Sequence, residues 1–274
     1  MTSTKLPFLA AILASIFTLL SGCASTTASK ADPFEGVNRA TYAFNDTLDT
    51  AVFKPIAKGY ETVTPGFVRA GVTNLFTNIG DVATALNNLL QGKPVDAASD
   101  AGRFIVNSTI GVLGLFDVAT PMGLDKHNAD FGQTLGKWGV GSGPFLMLPL
   151  MGPATLRDAA GRPVDAYAGY FRYMDHIPTR NVTFGVELID LRANLLGASS
   201  TLDTAALDKY QFIRDAYLQR RLRSIYDGKV PQEKLDQLED DLVPPKSGAA
   251  PKADAKTDAL PEKKITRPPT GDAS

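Results

Sequence analysis

The residue whose sequence context most clearly predicts a chemical reaction is the single cysteine. Cys23 follows Leu20-Ser21-Gly22, which matches the lipobox, the pattern at which a bacterial signal peptidase cleaves after a diacylglycerol is attached to the thiol. A short basic segment, residues 1–5, and an apolar segment, residues 6–20, precede it in the order of a secretory signal. We therefore expect residues 1–22 to be removed and Cys23 to be lipidated. The alternatives are a plain signal peptide with an incidental cysteine, or a short anchor.

The residues after Cys23 bear on where the lipidated chain is held. Ala24 and Ser25 follow, with no aspartate of the kind that retains enterobacterial lipoproteins at the inner membrane. The sequence therefore predicts a lipid-anchored protein on the periplasmic face of the outer membrane of a Gram-negative bacterium. Residues 23–31 are then a small, polar tether.

Other reactive side chains are few and match no catalytic motif. His127 and His176 are the only histidines, and Ser142 is not flanked as in a G-x-S-x-G elbow. Gly132 and Gly136 are separated by three residues, whereas a P-loop needs four, followed by Lys and a hydroxyl residue. Two histidines and one cysteine also exclude a multi-histidine or thiolate metal site. We predict no enzyme, no cofactor and no metal, although a triad built from distant residues stays open.

Charge is balanced over the whole chain but concentrated locally. The formal net charge of −1 gives no bias toward nucleic acid, which is not expected as a partner. The last predicted helix is basic, with Arg214, Arg220, Arg221 and Arg223. Such a run is either a solvated face or a contact for anionic lipid headgroups or an acidic partner.

Apolar spacing predicts a mainly helical fold. The first helix is expected to start with Asp32 as N-cap, with Glu35 completing a capping box, and to end before Pro55. The next is expected to run from Thr64-Pro65 to Gly92, and a break at Gly80 is left open.

Later segments complete the predicted domain. A third helix is expected from Pro94, and the last from Asp203 to Tyr226. No run alternates apolar and polar residues over a length that would build a sheet. The folded domain is predicted to span residues 32–243, and residues 244–274, rich in Pro, Ala, Lys and Asp, to be a disordered tail.

The middle of the chain is rich in Gly and Pro and unusually apolar. The segment Phe131–Asp158 contains six glycines, three prolines and the only tryptophan, so a long helix is excluded there. A second interrupted apolar stretch covers Ile110–Gly123. Such segments bury their side chains in the protein or in the bilayer boundary without spanning it. The candidate channel or membrane-rim residues are Leu115, Phe116, Trp138, Phe145, Leu146, Met147 and Leu148.

Several long motifs occur in order between Asp32 and Gly228. They are Asp32–Arg39 with Tyr42–Asn45, Asp130–Gly136 with Trp138–Gly141, Gly143–Phe145 with Leu148-Pro149, Thr155–Asp158, and Tyr210–Tyr217. In these motifs the chain resembles the MlaA (VacJ) family of outer-membrane lipoproteins. The tail after Pro244 departs from the shared pattern.

The resemblance implies a fold and a function. The fold is a ring-like or disc-like bundle of amphipathic helices in the inner leaflet of the outer membrane, with an amphipathic channel. The function is to extract mislocalised phospholipids from the outer leaflet and to hand them to a periplasmic carrier of the MlaC type, which maintains lipid asymmetry. Trimeric porins are implied as partners, and no catalytic residue is implied. The alternative from another class is an adaptor lipoprotein that links the outer membrane to a periplasmic partner or peptidoglycan.

Overall fold

The structure, a computed structural model, describes residues 29–243. The elements before the hairpin are α1 (Glu35–Leu48), a π-helical turn (Asp49–Phe53), α2 (Lys54–Val63), α3 (Gly66–Leu90), α4 (Pro94–Thr109) and α5 (Phe131–Lys137). The hairpin and the later elements are β1 (Phe145–Leu148), β2 (Gly152–Thr155), α6 (Leu156–Ala168), a 3-10 turn (Tyr170–Tyr173), α7 (Ile177–Asn194), α8 (Leu196–Ala205), α9 (Lys209–Ile225) and α10 (Gln232–Leu242). The predicted mainly helical fold is confirmed. The predicted signal peptide, Cys23 and the predicted tail 244–274 lie outside the described residues.

The start of α1 differs from the prediction. Helix α1 begins at Glu35, and no side chain caps its first turn. Asp32 is instead fully buried, and it accepts hydrogen bonds from Asn38, Tyr210 and Arg214. The predicted capping box is therefore wrong, because the carboxylate of Asp32 is held by interior partners.

The end of α1 also differs from the prediction. The chain passes through the π-helical turn and continues as α2, which has Pro55 in its first turn. A proline normally interrupts an α-helix because it lacks an N–H and crowds the preceding turn. Here the N–H of Lys54 bonds to the carbonyl of Asp49, five residues back. The helix carries the proline because this turn follows π rather than α spacing.

Helices α3 and α4 form a pair. Helix α3 is a single helix of 25 residues, so Gly80 does not divide it. After α3, Gly92 adopts a φ of 75°, which favours glycine, and α4 then begins at Pro94 as predicted. The two helices pack along one another and form the most extensive helix contact in the described part of the chain.

The Gly- and Pro-rich middle contains a hairpin that the sequence did not predict. Strands β1 and β2 are antiparallel, with Phe145 opposite Thr155 and Leu148 opposite Gly152. Each strand has four residues, too few for an alternating pattern to stand out. At the end of β2, Thr155 caps α6 by accepting from the backbone N–H of Asp158.

The C-terminal half is more divided than predicted. A single last helix is expected from Asp203 to Tyr226, but α8 ends at Ala205 and α9 begins at Lys209. Asp208 caps α9, with its carboxylate accepting from the N–H of Gln211 at 3.1 Å. The prediction of one continuous helix was wrong, because Asp208 starts a new helix without interrupting the apolar spacing.

The helices close into a ring. Helix α2 packs on α7, α7 on α3, α3 on α5, and α5 on α9. Helix α9 contacts β2, and β1 packs on α1, which continues into α2. This path of contacts returns to its start, in agreement with the predicted ring-like bundle.

The interior combines a small apolar core with many buried polar groups. Phe145 and Met147 of β1 pack with Tyr210 and Leu218 of α9. The longest helix, α3, buries five residues, all of them Asn, Asp or Thr. No helix within residues 29–243 is both long and apolar enough to cross a bilayer. The same part of the chain contains no group of three or more His, Cys, Asp or Glu side chains that could hold a metal ion.

Candidate functional site

Three neighbouring cavities, each partly open to the surface, lie along the ring, and we call them together the lumen. The hairpin chamber, about 570 Å³, has walls from α1, the hairpin, α7 and α8, and its charged lining residues are Asp46, Asp49, Lys54, Arg192, Asp203 and Lys209. The arginine chamber, about 500 Å³, has the charged lining residues Asp130, Asp158, Arg162, Arg220 and Arg221. The acidic chamber, about 260 Å³, has the charged lining residues Asp81, Lys126, Glu187 and Asp190.

The chambers are neighbours that share lining residues. Pro153 lines both the hairpin chamber and the arginine chamber. Thr84 and Asn128 line both the arginine chamber and the acidic chamber. On α7, Arg192 faces the hairpin chamber while its neighbour Leu191 faces the acidic chamber. The lumen is therefore a row of neighbouring cavities whose walls combine ionised groups with apolar surface.

Two asparagines of α1 hold the hairpin at the lumen wall. The side chain of Asn38 donates to the carbonyl of Phe145 at 3.0 Å and accepts from the N–H of Met147 at 2.8 Å. Asn45, two helical turns later, donates to the carbonyl of Leu148 at 3.0 Å and accepts from the N–H of Leu150 at 2.8 Å. The free edge of β1 is thus paired by side chains where a third strand would otherwise pair it.

A network of ion pairs forms the wall of the arginine chamber. Arg221 of α9 pairs with Asp130, which precedes α5, and with Asp158 of α6 at 2.9 Å. Asp158 also accepts from Tyr217 at 2.7 Å and from Arg157 at 2.9 Å. Burial raises the pKa of Asp158, but the charge of Arg221 and the hydrogen bond from Tyr217 outweigh it and hold that pKa below its usual value.

Asp190 of α7 holds three helices together beside the acidic chamber. Its carboxylate accepts from Thr73 of α3 at 2.7 Å and from Tyr60 of α2 at 3.1 Å. Asn194, one turn later on α7, adds a hydrogen bond at 3.2 Å. All three donors are neutral, so these contacts leave the negative charge of Asp190 uncompensated.

The predicted rim residues divide between core and surface. Phe145 is fully buried between the rings of Tyr210 and Tyr217, and Met147 is buried beside it and also lines the hairpin chamber. Phe145 is therefore a core residue in this structure and is not at a surface that lipid could reach. Leu146 and Leu148, which alternate with them along β1, are partly exposed.

The other predicted rim residues are exposed. Trp138 is 55% exposed and donates from Nε1 to the carbonyl of Leu90 at 3.0 Å. Phe116 is 63% exposed, and Leu115 is more covered. The structure thus separates Trp138, Leu115 and Phe116 from the two buried residues of β1.

Large apolar side chains cover much of the outer surface. The turn after α4 is the densest example, with exposed Ile110, Val112, Leu113, Phe116 and Met122. Within this turn Gly114 has a φ of 88° and lies against the side chain of Asn78 of α3, which leaves no room for a Cβ. A surface of this kind is typical of a site that meets protein or membrane.

The basic residues of the last predicted helix have two different roles. Arg214 and Arg221 are held in ion pairs in the interior, while Arg220 and Arg223 are exposed. Spacing alone did not reveal this division, because all of the acidic partners except Asp215 come from other elements.

The two histidines make ordinary structural contacts. His176 caps α7, and its ring nitrogen bonds to Thr179 at 2.7 Å. His127 lies 3.1 Å from Asp100 and 3.7 Å from Asp96. Ser142 makes no hydrogen bond with either ring among the described residues.

Comparisons with known proteins decide the family. A family model described as MlaA lipoprotein matches residues 30–224. The chain belongs to the MlaA lipoprotein family. The resemblance found in the sequence motifs is thereby confirmed.

Relatives and a solved structure agree with this assignment. The intermembrane phospholipid transport system lipoprotein MlaA of Escherichia coli strain K12 is 34% identical over 235 residues, covering 82% of this chain and 93% of that protein. An uncharacterized protein of Rickettsia bellii is 37% identical over 195 residues, covering 71% of this chain and 76% of the relative. A structure solved in work on the "structural basis for maintenance of bacterial outer membrane lipid asymmetry" matches with a TM-score of 0.63 at 34% identity, over 71% of this chain and 98% of that one.

Proposed function

We propose that this protein is an outer-membrane lipoprotein that removes mislocalised phospholipids from the outer leaflet through its lumen and hands them to a periplasmic lipid carrier. Membership of the MlaA family supports the general role, since its relatives include intermembrane phospholipid transport lipoproteins. The carrier of the MlaC type and the trimeric porin beside which the protein would sit rest on the family resemblance. No catalytic step belongs to this proposal.

The observation that supports the proposal is the combination of charged groups in the walls of the lumen with large apolar side chains exposed on the surface. Asp49 and Arg192 form a two-point ion pair at 2.6 and 2.8 Å in the wall of the lumen, whereas Leu113 and Phe116 stand exposed outside. A phospholipid crossing a bilayer must carry a charged headgroup through hydrocarbon, which costs several kcal/mol. A polar passage beside an apolar surface lowers that barrier, because the headgroup stays among polar groups while the acyl chains stay in lipid.

The outer surface supports a location at the membrane boundary. The exposed turn after α4 is apolar, and no helix within residues 29–243 could span a bilayer. A ring with such a surface, anchored through a lipidated Cys23, fits in one leaflet. The proposal therefore places the protein on the periplasmic face of the outer membrane.

The test is to narrow the lumen where two chambers share a wall. Asn128 is exposed and lines both the arginine and the acidic chamber, so Asn128→Trp should obstruct passage with little effect on folding. Asp125→Trp, on the same loop but outside the chamber walls, is the matched control. We would measure the phospholipid exposed in the outer leaflet of deletion cells that carry each variant.

The expected result is a high level of exposed phospholipid with Asn128→Trp and with Cys23→Ala, and a restored low level with the native chain and Asp125→Trp. Full restoration by Asn128→Trp, in a protein present at the native amount, would exclude the lumen as the route. Deleting residues 244–274 separates the adaptor alternative. An adaptor that uses its tail loses function, and a lipid passage keeps it.

A further inference from the structure

Charge is segregated along the lumen. The arginine chamber is lined by three arginines and two carboxylates, and the acidic chamber by three carboxylates and one lysine. The hairpin chamber is balanced, with three side chains of each sign. The positive and negative chambers are the two that share Thr84 and Asn128, so opposite charges lie next to one another inside the ring.

The positive charge of the arginine chamber is not neutralised by its own wall. Both carboxylates of the chamber, Asp130 and Asp158, are engaged by Arg221. Arg162 donates to the backbone carbonyls of Pro153 at 2.9 Å and Met151 at 3.3 Å, and it makes no ion pair with the described residues. Arg220 is exposed and likewise makes no ion pair within residues 29–243. Two guanidinium groups are therefore available for an anion.

The wall of the acidic chamber has more carboxylates than cations, since Lys126 is its one basic lining residue. Glu187 accepts from the hydroxyl of Tyr170 at 3.1 Å, and Asp190 accepts only from neutral donors. Neither makes an ion pair with any residue in the described range. Asp81 has a cationic neighbour, Arg103, at 3.4 Å. Glu187, which is partly exposed, is thus the carboxylate open to a cation, and the buried Asp190 one turn later adds negative charge beside it.

We propose that the lumen contains a binding site for a zwitterionic phospholipid headgroup that bears a primary ammonium group, as in phosphoethanolamine. The phosphodiester binds to Arg162 and Arg220, and the ammonium group lies toward Glu187 and Asp190. Guanidinium groups suit phosphate oxygens because they present a planar pair of donors. This inference rests on the proposed function, since it supposes that phospholipids enter the lumen.

The arrangement gives a preference between headgroups. Phosphatidylethanolamine would satisfy both chambers, whereas phosphatidylglycerol would present neutral hydroxyl groups to Glu187 and Asp190. A charge-assisted hydrogen bond that one headgroup makes and the other lacks corresponds to a preference of about tenfold. The lumen should therefore select phosphatidylethanolamine from a mixed membrane.

The experiment uses the full lipidated chain, purified in detergent and exchanged into nanodiscs of equal parts phosphatidylethanolamine and phosphatidylglycerol. Lipid that stays with the protein after it is stripped from the nanodisc is identified by mass spectrometry. The variants are Arg220→Gln and Glu187→Gln. Their matched controls are Arg223→Gln, exposed on the same helix, and Glu239→Gln, exposed on α10.

The native chain and both controls should retain phosphatidylethanolamine in about tenfold excess. Arg220→Gln should lower the total lipid retained, and Glu187→Gln should reduce the excess while lipid is still retained. Retained lipid in the same ratio as the nanodisc, or no change in either variant, would overturn the headgroup site and leave the lipid passage intact. No retained lipid in the native chain would instead count against the proposed function itself.

A free anion could bind the same two arginines. Inorganic phosphate is therefore titrated into the native chain in nanodiscs made with phosphatidylglycerol alone. Binding of phosphate at millimolar concentration that Arg220→Gln abolishes, without any selection between the two lipids, would indicate a phosphate site and overturn the headgroup assignment. Weak phosphate binding together with lipid selection supports it.

Discussion

The side chain of Asn38 is hydrogen-bonded to the backbone on both sides of Leu146, donating to the Phe145 carbonyl at 3.0 Å and accepting from the Met147 N–H at 2.8 Å. These positions are 107 and 109 residues away along the chain. One buried amide thus fixes the register of β1 against α1. Because Met147 lines the hairpin chamber, the same amide also sets the position of the lumen wall.

Replacing Asn38 tests this role. Asn38→Ala should lower the free energy of unfolding by about 3 kcal/mol, because a buried carbonyl and a buried N–H both lose their partner. Asn45→Ala removes equivalent bonds at the partly exposed end of the hairpin and should cost about 1 kcal/mol. Urea unfolding in detergent, followed by the fluorescence of Trp138, measures both. Equal losses in the two variants would contradict the part assigned to Asn38.

The importance of Asn38 was not predictable from periodicity. Apolar spacing predicts a helix in this part of the chain, and that prediction succeeds because helix formation depends on local sequence. Asn38 and Asn45 serve a strand that is distant in sequence, and their partners become visible only when the helices are docked. The motif Asp32–Arg39 marked the right place without revealing the contacts.

The same limit explains why the charged residues that line the lumen were not predicted. The basic run on the last helix was found, but the pairing of Arg221 with Asp130 and Asp158 joins three elements that sequence alone does not order in space. The interrupted apolar stretch was easier to recognise from sequence, and the structure shows Ile110 and Phe116 exposed in it. The burial of Phe145 was missed because a run of four apolar residues looks alike in a core strand and at a membrane rim.

Asp32 and Glu35 provide a second test. The capping box predicts small and similar contributions of the two side chains to the free energy of unfolding, whereas the structure predicts a large contribution from Asp32 alone. Asp32 is buried with Arg214 and Tyr210 as partners, and Asp32→Ala should cost about 4 kcal/mol by leaving Arg214 with a weaker set of partners in the interior. Glu35 pairs with Arg39 at 2.8 Å near the surface, and Glu35→Ala should cost less than about 1 kcal/mol. Thermal unfolding of both variants in detergent decides the ranking. Similar small losses would restore the capping interpretation.

Two glycines of the central motif should differ in how well they tolerate an added methyl group. A Cβ at Gly132 would lie 2.5 Å from Arg221 Nη2 and 2.7 Å from Asp158 Oδ1, so Gly132→Ala should disturb that ion pair and cost about 2 kcal/mol. A Cβ at Gly141 would meet nothing within 4 Å, and Gly141→Ala should change stability by less than about 0.5 kcal/mol. Chemical denaturation compares the two. A tolerated alanine at Gly132 would mean that α5 and α6 can separate without loss.

Asp81 should make the stability of the ring depend on pH. It is buried on α3, and burial raises its pKa to about 6, although Lys126 and Arg103 pull that pKa down. The folded state therefore binds more protons at this site than the unfolded state between about pH 4 and pH 6, and the contribution of Asp81 to the free energy of unfolding falls as the pH rises through that window. Asp81→Asn cannot titrate there. The stability of Asp81→Asn relative to the native chain should consequently increase by about 2 kcal/mol from pH 4 to pH 7. Urea unfolding of both proteins at several pH values measures this difference, and a constant or decreasing difference would show that Arg103 and Lys126 keep Asp81 ionised throughout.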